Sequence, residues 1–133
     1  MGQVITRVNN WGSILSNKIK EAKTLKFSYG THDCTCWSIS VIQSYSNLEW
    51  TPKWTNKAEA LDYQKNNNMQ EVASGILGPP LNSIQFTQRG DLVQKDLGMR
   101  AALGICIGAK VVLLTKTGIC YADLSDCAYS WRI

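Results

Sequence analysis

The stretch FSYGTHDCTCW at residues 27–37 decides the fold of this chain. A glycine turn and an Asp-Cys pair lead directly into an apolar run with helical spacing that includes Trp37 and Val41, which places Cys34 at or near the first turn of a helix. The unpaired N–H groups and the positive dipole end of a helix start favour an anion. Cys34 therefore has a physical route to a lowered pKa and is the first candidate for chemistry.

A cysteine nucleophile normally needs a base, usually a histidine, within hydrogen-bond reach. The chain contains one histidine, His32, two positions before Cys34. A side chain just before a helix can fold back onto the first turn, so His32 is the candidate partner of Cys34. The plainer interpretation also stays open, in which His32 holds the turn and Cys34 packs in the core as a small apolar side chain. Asp33 suits the N-cap of the helix better than the role of an orienting acid.

The composition indicates one globular domain over residues 1–133. Hydrophobic residues make up 44% of the chain and charged residues 18%. No run approaches the roughly 18 apolar residues of a membrane span, so we expect no membrane insertion. The formal net charge of +4 comes mainly from four lysines between positions 18 and 26. That pattern suits a solvated helix face, and we expect no nucleic-acid partner.

The cysteines predict neither disulfides nor a metal site. They are an odd set of five, and no secretion signal precedes them, which predicts free thiols in a reducing cytoplasm. The pair Cys34 and Cys36 is spaced too tightly for the usual zinc knuckle, and the other three lie far apart in the sequence. We therefore expect no metal and no cofactor.

The pattern of apolar residues changes from helical to strand-like near residue 80. Predicted helices run from Trp11 to Ala22, from Cys34 to about Ser46, from Asn56 to Tyr63 and from Met69 to Ser74. Predicted strands of an antiparallel meander lie at 92–93, 101–107, 111–114 and 119–122, followed by a short helix from Ser125 or Asp126 and a terminal strand at 131–133. Helices first and a sheet afterwards predict an α+β fold, with the Cys34 helix on one face of the sheet.

Two tryptophans form a further candidate site. Trp50 and Trp54 lie close to Lys53 and Lys57, and an exposed pair of this kind could serve as an aromatic platform for a ligand. The pattern favours the alternative, a packed corner in which both rings are covered.

The order of several short motifs resembles the NlpC-type branch of the papain-like cysteine peptidases, which cleave peptide stems of the bacterial cell wall. The motifs lie at 29–30, 33–34, 90–93 and 103–105. The whole chain is more closely similar to a small family of phage- and prophage-encoded proteins of unassigned function that share this fold. That similarity is carried by Trp11 and by residues 30–34, 118–119 and 131–132. It implies an NlpC-like fold, with Cys34 in the place of the nucleophile and Tyr29 in that of a tyrosine lining the site.

The same resemblance implies that the catalytic base is missing. In the active peptidases, the strand motif that corresponds to residues 102–105 begins with the histidine that serves as base, and here that position is Ala102. The next strand, at 111–114, offers only aliphatic side chains where a polar residue would orient the histidine. Without a base, a thiol near pH 7 is ionised to only about a few per cent, and the leaving amine has no proton donor.

The resemblance and the missing base favour a structural protein of a phage virion, associated with the tail and retaining a degenerate NlpC-like hydrolase domain, over an enzyme. It would be synthesised in the cytoplasm of the bacterial host and bind other virion or tail proteins. One rival hypothesis is a cysteine peptidase or amidase that acts on peptidoglycan stem peptides through Cys34 and His32. Another is a non-catalytic module that binds bacterial peptidoglycan through the old cleft. The candidate binding residues are Tyr29, Asp33, Trp50 and Trp54.

Overall fold

The computed structural model describes residues 2–98 and 100–133. Its helices are α1 (Trp11–Ala22), α2 (Cys34–Tyr45), α3 (Lys57–Asn66) and α4 (Met69–Leu77), and its strands are β1 (Leu92–Leu97), β2 (Arg100–Cys106), β3 (Lys110–Thr115), β4 (Gly118–Asp123) and β5 (Tyr129–Trp131). Short 3₁₀ helices lie at Ile84–Phe86 and Leu124–Asp126. The fold is α+β, with the helices in the N-terminal part and an antiparallel sheet in the C-terminal part, as the sequence predicts.

Polar caps fix the starts of three helices. The side chains of Asp33, Asn56 and Asn68 accept from the main-chain N–H three residues ahead at the starts of α2, α3 and α4. The predicted ends of α3 and α4 were too early. Helix α3 continues to Asn66 as an exposed polar turn. Helix α4 passes Gly75 and ends at Leu77, and its C-cap is Gly78, whose φ is +92°. Helix α4 continues because Ile76 and Leu77 pack against the main core.

The sheet has the strand order β4-β3-β2-β1-β5, and every adjacent pair is antiparallel. Strands β1 to β4 form the predicted meander, while β5 returns to the other edge and pairs with β1. Strand β1 is longer than predicted because its polar half, 94–97, pairs with β2 through Leu97↔Arg100. The last strand is Tyr129–Trp131, two residues earlier than expected.

Helix α2 packs against the central strands β2 and β3. The ladder between these strands consists of Ile105↔Val112 and Cys106↔Val111. Immediately before the ladder the strands approach closely, since a Cβ on Gly104 would lie 2.6 Å from the oxygen of Val112. The Ser38 hydroxyl donates to the main-chain oxygen of Leu103 at 2.9 Å. This hydrogen bond fixes α2 against β2.

Two apolar clusters occupy the interior. The larger contains the buried faces of α1, α2 and α4 with Leu92, Leu103 and Ile105 of the sheet. The smaller is formed by Val93, Ala102, Cys106, Val111, Leu113 and Cys127. Among the helices of residues 2–98 and 100–133, none combines the length and apolar character needed to cross a membrane.

Candidate functional site

Cys34 lies in a cleft of about 300 Å³ between the start of α2, the start of β2 and the end of β3. We call it the Cys34 cleft. Its walls include Tyr29, Ala102 and Lys116, and the Lys116 ammonium lies 5.9 Å from the centre of the Tyr29 ring. Cys34 itself packs against the smaller apolar cluster, the one that contains Ala102. The structure therefore brings the predicted cysteine, the predicted tyrosine and the alanine at the expected base position to one cleft.

Asp33 holds this corner together. One carboxylate oxygen accepts from the Cys36 N–H at 2.8 Å, and the other accepts from the Gly30 N–H and from the indole N–H of Trp54, both at 2.8 Å. The carboxylate is 3% exposed. Gly30 has a φ of +91°, and a Cβ there would lie 2.6 Å from the oxygen of Thr55. Asp33 is the helix cap, as predicted, and its oxygens are occupied by donors within the protein.

The surroundings of Cys34 favour the neutral thiol. Burial raises the pKa of Cys34, and the neighbouring Asp33 carboxylate raises it further. The Thr35 hydroxyl and main-chain groups at Leu103 and Thr35 lower the pKa by less. The helix start thus fails to produce the lowered pKa that the sequence suggested, because desolvation and a like charge outweigh it.

His32 is part of the turn before α2. Its main-chain N–H donates to the Ser28 oxygen at 2.7 Å, and its own oxygen accepts from the Ser28 N–H at 3.3 Å. Within the described part of the chain, its side chain makes no hydrogen bond and does not line the Cys34 cleft. It is also absent from the groups that shift the pKa of Cys34. The role of His32 in the fold is to hold the turn through its main chain.

The two candidate tryptophans lie in different environments. Trp54 is 4% exposed, and its ring lies 5.3 Å from that of Tyr63, so it forms the packed corner that the sequence favoured. Trp50 is partly buried and lines a separate cleft of about 520 Å³ with Glu49, Glu71 and Trp54. The exposed two-ring platform is therefore absent, and Trp50 is the ring that remains accessible.

A family model matches residues 6–133, almost the whole chain, and its family is described as a domain of unknown function, DUF6950. The chain belongs to the DUF6950 family. A search of curated proteins gave no match. The matched residues of this DUF6950 domain include Arg7, Arg132 and Ile133.

Inside the DUF6950 domain, Asp91 links residues near the two ends of the chain. Sequence reasoning missed this link. Its buried carboxylate binds the guanidinium groups of Arg7 and Arg132, each at 2.9 Å, and accepts from the main-chain N–H groups of Gln88 and Ile133 at 2.9 and 3.0 Å. Gly90-Asp91 and the terminal Trp-Arg were visible as motifs, but nothing in the sequence shows that they bind each other. The network is structural, because both oxygens of the Asp91 carboxylate are bound by donors within the protein.

The residues of the DUF6950 domain that the structure describes contain no cluster of three or more His, Cys, Asp or Glu side chains able to hold a metal ion. The five cysteines are free thiols in this part of the chain.

Proposed function

We propose that this chain is a non-catalytic protein with a degenerate NlpC-like hydrolase domain, and that it serves as a structural, tail-associated component of a phage virion. One observation carries the non-catalytic part. Cys34 and Ala102 share one cleft, and no histidine lines that cleft within the described residues. The thiol has a raised pKa and no base.

The assignment to a phage particle and the papain-like fold rest on the resemblance of the ordered motifs. The structure supports the fold part through two features: Cys34 starts a helix that packs on an antiparallel sheet, and the strand with Ala102 borders its cleft. Partners would be other virion or tail proteins.

A cysteine peptidase or amidase acting on peptidoglycan is the alternative. It would require His32 to turn from its loop towards Cys34 and also to overcome the charge of Asp33. The observation that favours the non-catalytic proposal is that His32 does not line the Cys34 cleft, while its main chain is held in the turn by Ser28.

Hydrolysis is tested by incubating purified peptidoglycan with the wild-type protein and with Cys34→Ser, followed by mass spectrometry of released peptides. We expect the same background from both proteins. Release by the wild type that Cys34→Ser abolishes would refute the non-catalytic proposal.

The virion part needs a separate measurement. Particles of the virus that encodes this chain should contain it after density-gradient purification, at a constant ratio to the major tail protein. A chain found only in the lysate supernatant would contradict a structural role.

A further inference from the structure

The walls of the Cys34 cleft offer apolar surface that the fold leaves uncovered. The rings of Phe27 and Tyr29 are partly buried and meet edge to face, with their centroids 4.9 Å apart. Ala101 is also partly buried, and Leu97 is 53% exposed. All four side chains belong to residues that line the cleft. Mostly apolar walls with a few polar groups are typical of small-molecule sites.

The size of the cleft limits the ligand. Its volume is about 300 Å³, and one water molecule occupies about 30 Å³ in the liquid. The cleft therefore has room for roughly ten non-hydrogen atoms. This is the size of a small organic acid or of one amino-acid residue.

The accessible charge of the walls is positive. Their charged side chains are Asp33, Arg100 and Lys116. The Asp33 carboxylate is almost completely buried and is occupied by its three donors. Arg100 and Lys116 are exposed, and neither forms an ion pair within residues 2–98 and 100–133. A ligand that enters the cleft therefore meets two cations and no accessible anion.

Lys116 is the cation whose position beside the apolar wall is defined. It lies in the tight turn 116–117 between β3 and β4, and its ammonium group lies 5.9 Å from the centre of the Tyr29 ring. Arg100 also lines a neighbouring cleft, in which Asp96 offsets its charge. We therefore take Lys116 as the principal anion-binding group of the Cys34 cleft.

A monocarboxylate with an apolar body matches both parts of this cleft. Its charge pairs with the Lys116 ammonium, while its apolar body covers the adjacent ring of Tyr29. A neutral ligand leaves the cation unpaired, and a cationic ligand is repelled by it. The Asp33 carboxylate disfavours a second negative charge near Cys34.

We propose that the Cys34 cleft binds a small monocarboxylate, with its charge at Lys116 and its apolar body against Phe27, Tyr29 and Leu97. A free acid and the apolar C-terminal residue of a peptide share this chemistry. The binding requires neither a thiolate nor a base. It therefore goes beyond the proposed structural role, and either proposal can fail without the other.

The test is a titration of the isotope-labelled full-length protein at constant ionic strength, followed by its main-chain amide NMR signals. Phenylacetate and hexanoate are the free-acid probes, and N-acetylleucine represents the end of a peptide. We expect at least one of them to shift the signals of Tyr29 and Lys116 with a dissociation constant of about 1 mM or tighter. The tighter class of probe identifies the source of the carboxylate.

Uncharged analogues test the role of the charge. Each carboxylate is compared with its amide, which has nearly the same size and shape: phenylacetamide, hexanamide and N-acetylleucinamide. The amide should bind about fivefold more weakly, as expected for the loss of one exposed ion pair. The cation 2-phenylethylamine should bind more weakly than phenylacetamide, because Lys116 repels it.

A charge variant tests the residue. Lys116→Gln removes the cation from an exposed turn and should weaken binding of the carboxylate about fivefold, while binding of the amide stays unchanged. Lys20→Gln, on the exposed face of α1, makes the same change in net charge away from the cleft. This matched control should bind the carboxylate as the wild type does.

The Cys34 thiol reports whether the ligand occupies the cleft. At about ten times its dissociation constant, the carboxylate should slow alkylation of Cys34 by N-ethylmaleimide about tenfold, because the unliganded fraction reacts. Cys120 is partly buried on β4 and does not line the cleft, so its alkylation should be unaffected. Mass spectrometry of the digested protein separates the two thiols.

Four outcomes would overturn the proposal. The first is that no carboxylate shifts the signals at about 50 mM, far above the expected dissociation constant. The second is an amide that binds as tightly as its carboxylate. The third is undiminished binding by Lys116→Gln. The fourth is unchanged alkylation of Cys34 in the presence of a bound carboxylate, which would place the ligand elsewhere.

Discussion

Replacing Asp33 by alanine should destabilise the protein more than the loss of any ordinary helix cap. Asp33 accepts from three donors, the main-chain N–H groups of Gly30 and Cys36 and the indole N–H of Trp54. All three hydrogen bonds lie at the buried corner from which α2 starts. The carboxylate therefore fastens the turn, the helix and the Trp54 segment to one another.

The magnitude follows from the three donors. Loss of the cap on the Cys36 N–H costs about 1 kcal/mol. The other two donors are left without an acceptor, at about 1–2 kcal/mol each. The free energy of unfolding should fall by about 3–5 kcal/mol in total. Asn56→Ala is the matched control, because Asn56 caps α3 through the Glu59 N–H alone and is exposed, and it should cost about 1 kcal/mol.

The assay is urea denaturation monitored by tryptophan fluorescence, with the slope compared between variants so that midpoints can be converted to free energies. A value for Asp33→Ala within about 1 kcal/mol of that for Asn56→Ala would refute the reasoning, because it would mean that Asp33 acts as a cap and nothing more.

Three further predictions use the same denaturation assay. Gly104→Ala should destabilise the protein by about 1–3 kcal/mol, because the new Cβ would meet the main-chain oxygen of Val112. Gly75→Ala, in open space within α4, should stabilise it by about 0.5–1 kcal/mol. Effects of the same sign for the two variants would contradict this. Asp91→Ala leaves two arginines without their buried carboxylate and should cost about 3–5 kcal/mol, and a loss below about 1 kcal/mol would argue against the network. Burial raises the pKa of Cys34 and Cys36. Above the unfolded pKa of about 8.5, the unfolded chain releases these protons before the folded chain does. The contribution of the two thiols to stability is therefore present below that pH and declines as the pH rises further. In reducing buffer, the free energy of unfolding should therefore be lower at about pH 10 than at about pH 8, and a higher value would contradict the raised pKa values.

Local chemistry made the element order predictable. The caps Asp33 and Asn56 and the glycine turns between strands are encoded within a few residues, so the helices, the meander and the start of α2 at Cys34 follow from the sequence. The ends were less predictable. Helix α4 crosses Gly75 because its last apolar residues have a core to pack against, which is a tertiary effect.

The electrostatics of the site depended on contacts across the chain. The sequence predicts that the helix start lowers the pKa of Cys34. In the fold, Cys34 is buried against the cluster that contains Ala102, about 70 positions away in the sequence, and this burial raises the pKa instead.

The most direct test of the central claim, that Cys34 has no catalytic partner, is the pH dependence of its alkylation in the folded protein. Subtracting the Cys34→Ser signal isolates it from the other four thiols. The account predicts a midpoint above the free-cysteine value of about 8.5, unchanged in His32→Ala. A midpoint well below that value that moves in His32→Ala would establish a coupled pair and contradict the account.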